Sequence, residues 1–293
     1  MIEVVRVGLQ ATIQDLGRPG FGFLGVPKAG AADPQSLRLA NRLVGNSEGA
    51  AGIEILMGNT SICFASSHAF ALTGAPCATS LDRRPMSMNC WAYASAGQTL
   101  TLGRPLHGLR TYLAVAGGID TAPVMGSRST DTLSGIGPSP LQPGSVLTLG
   151  APRSISAGFA AGDVVVSMTV SAGTSLTVTA RLGPRDDLFT GEAISALLTG
   201  PWQVSHQTDR VAARLIGPAL RTSQGGQLPT EGLALGSIQV PPSGQPIIHL
   251  ANHPPTGGYP VIAVVDSADA GRIAQAPPGT QLRFTIAPRI SFD

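Results

Sequence analysis

The chain has 293 residues and a mass of 29.8 kDa, room for two domains of roughly 150 residues each or one large all-β domain. Apolar residues make up 43% and charged residues only 12%, about half the usual quarter, so a full core is available and extended disorder is excluded. Nineteen basic against seventeen acidic residues leave a net charge of +2, no field for a nucleic-acid partner.

Glycine (37) and proline (24) together form about a fifth of the chain, against a usual ~12%. Both are unfavourable in helix interiors and belong to turns. Many short strands joined by many turns are therefore predicted. The opening MIEVVRVGLQATIQD carries Glu3 and lacks an apolar stretch of roughly 7–15 residues behind a basic region, so it does not read as a signal peptide. No apolar run approaches ~18 residues. A soluble, cytoplasmic protein is expected.

In chain order, Ile2–Val7 is the first β-branched run. Gly20-x-Gly22-x-x-Gly25 matches a dinucleotide fingerprint in letters. Its context fails, because Val26-Pro27 follows where a helix should open. The best helix is Pro34–Val44, with Asp33 as its cap, Pro34 at the first helical position and Gly45 at its end. Strand-like runs follow at Ile53–Leu56, Ser61–Phe64, Phe70–Thr73, Leu100–Leu102, Thr111–Val115 and Val146–Leu149. The stretch Ala151–Thr174 is rich in Ala, Gly and Ser and reads as a linker, with Val164–Val170 as a candidate strand. The domain boundary is placed there, giving domains 1–160 and 161–293. Beyond it come a strand at Leu176–Ala180 and a helix at Glu192–Leu198 stopped by Gly200-Pro201. Strands at Ile238–Val240, Ile247–Leu250 and Val261–Val265 follow, then a short helix at Ala268–Ala274 and a strand at Gln281–Ile286. Short runs bounded by Gly, Pro, Asn or Ser point to sandwiches or barrels rather than βαβ units.

The halves repeat loosely. Ala96-Gly97-Gln98, Gly117-Gly118 and Pro143-Gly144 answer to Ser243-Gly244-Gln245, Gly257-Gly258 and Pro278-Gly279. Two similar small β-barrels are expected, each with a Gly-Gly turn and a closing Pro-Gly turn.

Candidate site residues are few. Cys63, Cys77 and Cys90 form no C-x-x-C, so neither a disulfide framework nor a metal site is expected. No P-loop, G-x-S-x-G or H-E-x-x-H pattern occurs. Asp15, Arg18 and Asp33 cluster in QDLGRPGFGFLGVPKAGAADP. They either brace a loop, with Asp33 capping its helix, or line a site for a small polar substrate. Asp209-Arg210 permits the same two readings. Glu231 and Gln239 stand eight residues apart around an apolar turn and are candidates to converge at a barrel rim. Asn252-His253-Pro254-Pro255-Thr256-Gly257-Gly258 is a turn-rich setting that can hold an imidazole at a pocket mouth. Lys28 is the sole lysine and sits in Val-Pro-Lys-Ala-Gly, so no covalent biotin is expected.

One resemblance covers nearly the whole chain. GLQATIQDLGRPGFGFLGVPKAGAADPQSLRLANRLVGN is similar to the opening of the biotin-dependent carboxyltransferase family. That family includes allophanate hydrolase subunit 2, Kip-type antagonists and the C-type subunit of 5-oxoprolinase. The similarity continues through ALTGA (71–75), YLAVAGGID (112–120), GSRST (126–130), DDLF (186–189), GSIQVPPSGQPI (236–247) and TGGYPVIAVV (256–265). The resemblance implies a mainly β fold of two tandem cyclophilin-like β-barrels. It implies the C-type subunit of an ATP-dependent 5-oxoprolinase, which opens 5-oxo-L-proline to L-glutamate. The implied partners are a Kip-type inhibitor homologue (the B-type subunit) and a LamB/YcsF-type protein (the A-type subunit), with ATP bound by the complex. Two other readings stand beside it: a carboxyltransferase component acting on carboxybiotin and a urea-like amide, and a non-catalytic antagonist of a Kip-type inhibitor. Catalysis is expected from Glu231, Asp15 and His253. Substrate contacts are expected from Arg18, Asp33, Asp209, Arg210, Gln239 and Asn252. The sequence departs from the family at Ala29, where serine is common, at Glu231, where aspartate is usual, and at Asn252, where aspartate often stands.

Overall fold

A computed structural model describes residues 1–152, 175–223 and 228–287. Two compact units form: Met1–Arg18 with Ala29–Ala172, and Pro19–Lys28 with Gly173–Asp293. The boundary expected at 160/161 and the candidate strand Val164–Val170 lie outside the described residues. The segment Pro19–Lys28, sequentially part of the first domain, groups with the second unit.

The first unit contains β1 (Ile2–Arg6), β2 (Gln10–Gln14), α1 (Pro34–Leu43), β3 (Gly52–Leu56), β4 (Thr60–Phe64), β5 (His68–Gly74), β6 (Cys77–Leu81), β7 (Arg84–Met86), β8 (Trp91–Ala94), β9 (Thr99–Pro105), β10 (Arg110–Val115) and β11 (Val146–Leu147). They build two sheets, β11-β1-β4-β9-β6-β7 and β2-β3-β10-β5-β8. Alternation fills the space between them: Ile2, Val4, Ile62 and Leu100 from one sheet meet Ile13, Ile53, Leu72 and Leu113 from the other. The Phe64 and Phe70 rings lie 5.1 Å apart in that core. α1 covers the opposite face of the five-stranded sheet, with Leu37 against Tyr112 and Ala40 against Ala71 and Ala114. Burying Leu37 alone contributes roughly 2 kcal/mol.

The same alternation sends Glu54 away from Ile53 and Ile55, towards the start of α1. There it accepts from Tyr112 Oη (2.8 Å) and Ala32 N (2.9 Å) and pairs with buried Arg110 (3.4 Å).

The second unit contains β12 (Ser175–Leu182), α2 (Gly191–Thr199), β13 (Trp202–Thr208), β14 (Ala212–Ile216), β15 (Glu231–Gly232), β16 (Ser237–Gln239), β17 (Ile247–His249), β18 (Thr256–Gly257), β19 (Val261–Val265), α3 (Ser267–Ala274) and β20 (Gln281–Ile286). Seven strands close a barrel in the order β12-β19-β16-β17-β14-β13-β20, shut by the parallel β12–β20 pair. Its interior is lined by Val178, Ala180, Trp202, Leu215, Ile238, Ile248, Ala263 and Leu282. β15 and β18 form a separate two-stranded ribbon.

The mainly β class and the three helices match the sequence reading. The repeat holds at the closing turns. Gly144 (φ 87°) and Gly279 (φ 91°) occupy the third position of turns closed by Ser145 N to Gln142 O and Thr280 N to Pro277 O, each behind a proline. It fails at the Gly-Gly pairs. Gly117 and Gly118 are left-handed (φ 93° and 71°), whereas Gly257 is a strand residue of β18.

Candidate functional site

The site is assembled on the second unit where β16, β17 and the 250–260 loop meet. The pairing of β16 with β19 shifts register between Ile238 and Gln239. Such irregularities re-aim a side chain, and here the affected residue is Gln239. Its Nε2 donates to Tyr259 O (2.9 Å) and its Oε1 lies 2.8 Å from His249 Nε2. A carbonyl only accepts, so the amide nitrogen faces Tyr259 and the amide oxygen faces the imidazole. His249 Nε2 therefore carries the proton, and its Nδ1 is a bare acceptor, buried with no partner among the described residues. Burial, then the neighbouring His253, pushes the His249 pKa down to about 4.

His253 lies beside it, with ring centroids 6.0 Å apart in an edge geometry. Its Nδ1 sits 2.7 Å from Pro254 O. By the same logic Nδ1 is the donor and Nε2 carries the free lone pair. Burial lowers the His253 pKa; the bond to Pro254 opposes this, and the charge of Lys28 adds to it. Lys28 belongs to the segment that groups with this unit. The backbone of the loop is tied to the turn before β14 through Leu250 N to Val211 O (2.8 Å) and Asn252 N to Arg210 O (3.0 Å). Asn252 and Arg210 are buried.

Glu231 enters through the ribbon, opposite Gly257. Its Oε1 is 2.8 Å from Arg185 Nη2, and both side chains remain about one-third exposed. A Cβ on Gly257 would lie 2.5 Å from Gln239 Nε2 and 2.9 Å from Leu233 Cδ1. A side chain there would displace the Gln239 amide, so glycine lets the ribbon carrying Glu231 close on Gln239 as it stands. Glu231, Gln239, His249, Asn252, His253 and Arg210 thus share one neighbourhood. A cleft of about 640 Å³ adjoins it, with Val240 and Tyr259, the neighbours of Gln239, on its lining.

The remaining expected residues have other local roles. Asp209 Oδ1 accepts from Val211 N (2.7 Å) and Ala212 N (3.0 Å), a turn before β14. In the first unit, Asp15 accepts from Gly17 N, Ser127 Oγ, Ser129 Oγ and Arg128 N. Both oxygens are engaged, which gives Asp15 the geometry of a brace between its loop and the 126–130 segment. Arg18 donates to Ser129 O, while Asp131 and Asp15 partly offset the burial that lowers its pKa. Asp33 caps α1, taking Ser36 N (3.1 Å) and Ser36 Oγ (2.6 Å). These three are together in sequence, and among them the bonds serve the fold of their own unit.

Sequence reasoning did not single out His249, Arg185, Ser127 or Ser129, and it weighed Lys28 only as a covalent carrier. His249 had a signal, a second histidine four residues before His253. The serines had none, since they reach Asp15 from more than 110 positions away. Among the described residues no group of three or more His, Cys, Asp or Glu is placed to hold a metal. No helix among them is long and apolar enough to cross a membrane.

Known proteins share this architecture. Residues 24–286 match the family model of the carboxyltransferase domain, subdomain A and B. The chain is 40% identical to the C-type subunit of the Escherichia coli 5-oxoprolinase over 97% of its own length and 90% of that protein. It is 33% identical to the protein of the same name from Haemophilus influenzae, with the same coverage. A urea amidolyase of Lachancea kluyveri is 32% identical, but the chain spans only 17% of it. Among solved structures, TTHA0988 superimposes with a TM-score of 0.87 at 35% identity, and the chain spans 55% of that chain. The Kluyveromyces lactis urea amidolyase superimposes at 0.90 and 28% identity, and the chain spans 19% of it. The chain belongs to the carboxyltransferase domain family, subdomains A and B.

Proposed function

We propose that this chain is the C-type subunit of an ATP-dependent 5-oxoprolinase, hydrolysing 5-oxo-L-proline to L-glutamate with a Kip-type partner and a LamB/YcsF-type partner. One observation carries the reading: the 40% identity to the C-type subunit of a 5-oxoprolinase runs over 97% of this chain and 90% of that one.

The chemistry asked of these residues is opening of a lactam. Water adds to the ring carbonyl, the C–N bond breaks, and the nitrogen leaves as an amine. His253 is the base for that water. Its Nδ1 proton is committed to Pro254 O, so Nε2 accepts a proton from water and returns it to the departing nitrogen. Burial keeps the ring neutral and ready to accept at neutral pH. His249 and Gln239 position it. Glu231, held by Arg185 and partly exposed, accepts the lactam N–H and then the ammonium of the product. Asp15 is left to brace the fold of the first unit.

ATP would supply the activation that a lactam carbonyl lacks: phosphorylation of the carbonyl oxygen would release ADP, one water would then open the ring to an acyl phosphate, and a second water would release phosphate and leave L-glutamate. The three α-helix N-termini among the described residues each carry the chain's own acid: Asp33 at α1, Glu192 at α2, and Asp266 and Asp269 at α3. A carboxylate there repels phosphate, which supports a reading in which the partner proteins bind the nucleotide.

A second reading draws on the 0.90 superposition on a urea amidolyase: transfer of a carboxyl group between carboxybiotin and a urea-like amide.

The test is co-expression with the Kip-type and LamB/YcsF-type partners and assay of glutamate from 5-oxo-L-proline, with and without ATP. ATP-dependent glutamate is expected. A stable complex that releases none refutes the reading, and biotin-dependent decarboxylation by that complex would favour the second.

A further inference from the structure

We propose that the 640 Å³ cleft of the second unit binds a small cyclic monocarboxylate, with Arg221 receiving its carboxylate. The inference deepens the lactam reading and rests on it for the ligand's identity, 5-oxo-L-proline.

The cleft lies in the size range of small-molecule sites, roughly 300–1,000 Å³. Its walls mix apolar and polar surface: Leu188, Val240, Pro241 and Pro260 supply the apolar part, and Thr222 and Ser243 stand with Arg221 in the polar part. Among the described lining residues Arg221 is the one charged side chain, and no carboxylate accompanies it. A neutral amide such as urea can offer a guanidinium only its carbonyl oxygen, without charge. A carboxylate gains more, because its two charged oxygens match the planar fork of donors. The methylene edge of a ring attached to that carboxylate then meets the proline and leucine surfaces, displacing water from both.

The cleft is also built in advance. Leu220 N donates to Gly244 O (2.9 Å), and Gly244 N to Pro241 O (2.8 Å). A Cβ on Gly244 would lie 2.9 Å from Ala219 Cβ and 3.0 Å from Leu220 N. The 241–244 turn therefore sits directly against the segment that presents Arg221. On the other side, Gln239 Nε2 grips the carbonyl of Tyr259. That bond ties the lining residue Tyr259 to the histidine pair. A preorganised cleft loses less entropy on binding.

Equilibrium binding to the co-purified complex tests the assignment, by calorimetry with 5-oxo-L-proline and with 2-pyrrolidinone, the same lactam without the carboxylate. The acid is expected to bind at least tenfold more tightly. Arg221→Gln should reduce the acid to the level of 2-pyrrolidinone, and Arg221→Lys should restore part of the difference. Arg221 is exposed, so Arg221→Gln should unfold at the wild-type temperature. Equal affinity of the acid for wild type and Arg221→Gln overturns the proposal, as does a wild-type complex that binds neither compound at millimolar concentration. The two readings fail separately. Glutamate released with an unchanged KM by Arg221→Gln leaves the hydrolase and removes the cleft. Arg221-dependent binding of the acid without glutamate release leaves the cleft and removes the hydrolase.

Discussion

Acid should destabilise the second unit through His249. Its pKa lies at about 4 because the ring is buried and faces His253, while an unfolded chain holds imidazole near 6.5. Between these values the unfolded chain binds a proton that the folded unit refuses. Stability therefore rises with pH across the window: the contribution is fully present above about pH 6.5 and is lost as the pH falls towards 4. The gap is worth roughly 3 kcal/mol, at about 1.4 kcal/mol per pH unit. His249→Gln removes the titrating group and keeps a polar side chain beside Gln239. The chain has two tryptophans, and Trp202 is fully buried in the second unit, so Trp91→Phe makes Trp202 the sole reporter. Urea unfolding is then followed by fluorescence from pH 7.5 to 4, in that background, with and without His249→Gln. The histidine protein should lose roughly 3 kcal/mol more than the variant over that range. Parallel curves would refute the assignment of a neutral, buried His249 and the tautomers derived from it.

Asp15→Asn turns an acceptor into a donor facing donors and should destabilise the first unit by about 3 kcal/mol, read by urea unfolding. Glu54→Gln leaves Arg110 buried beside a neutral amide and should lose about 3–5 kcal/mol in the same measurement. Glu231→Gln breaks a partly exposed ion pair worth at most about 1 kcal/mol. Glutamate release by the assembled complex should nevertheless fall by about 100-fold, and a proportionate change in both would argue for a structural role. Gly257→Ala drives a methyl group into Gln239 and should lower kcat/KM at least tenfold with an unchanged far-UV spectrum.

Much of the fold is legible because short β-branched runs between turn residues leave few alternatives. Some of the strands that escaped notice lack that signature for identifiable reasons. β2 reads Gln-Ala-Thr-Ile-Gln, yet Thr12 and Gln14 are buried because Gln14 Nε2 bonds Thr12 Oγ1 and Thr130 O. β6 and β7 are joined at Asp82 and Arg83, both left-handed (φ 47° and 66°), so no glycine advertises the hairpin. β13 does alternate, with Trp202 and Val204 inward, and was there to be read. The Gly-Gly repeat misled because two glycines were needed for different reasons: backbone conformation at Gly117-Gly118, and room for Gln239 at Gly257.

The candidate site was legible as residue types but not as available lone pairs. In a chain with so few charges, each carboxylate invites a functional reading. The structure separates them by what their oxygens already hold. Asp15 and Asp33 accept through both oxygens from backbone and hydroxyl donors of neighbouring turns and caps, and Asp209 Oδ1 closes the turn before β14. Glu231 meets Arg185 through one oxygen at a partly exposed rim. The histidines differ in the same way: one nitrogen of each is spent on Gln239 or Pro254, and His249 Nδ1 is buried with no partner among the described residues. Spacing along the sequence cannot reveal which nitrogen is spent, because Gln239 is directed by a register shift against β19 and by a carbonyl twenty residues downstream. On the proposed reading, reactivity follows from unspent lone pairs, and these are fixed by the closing of the barrel rather than by any local motif.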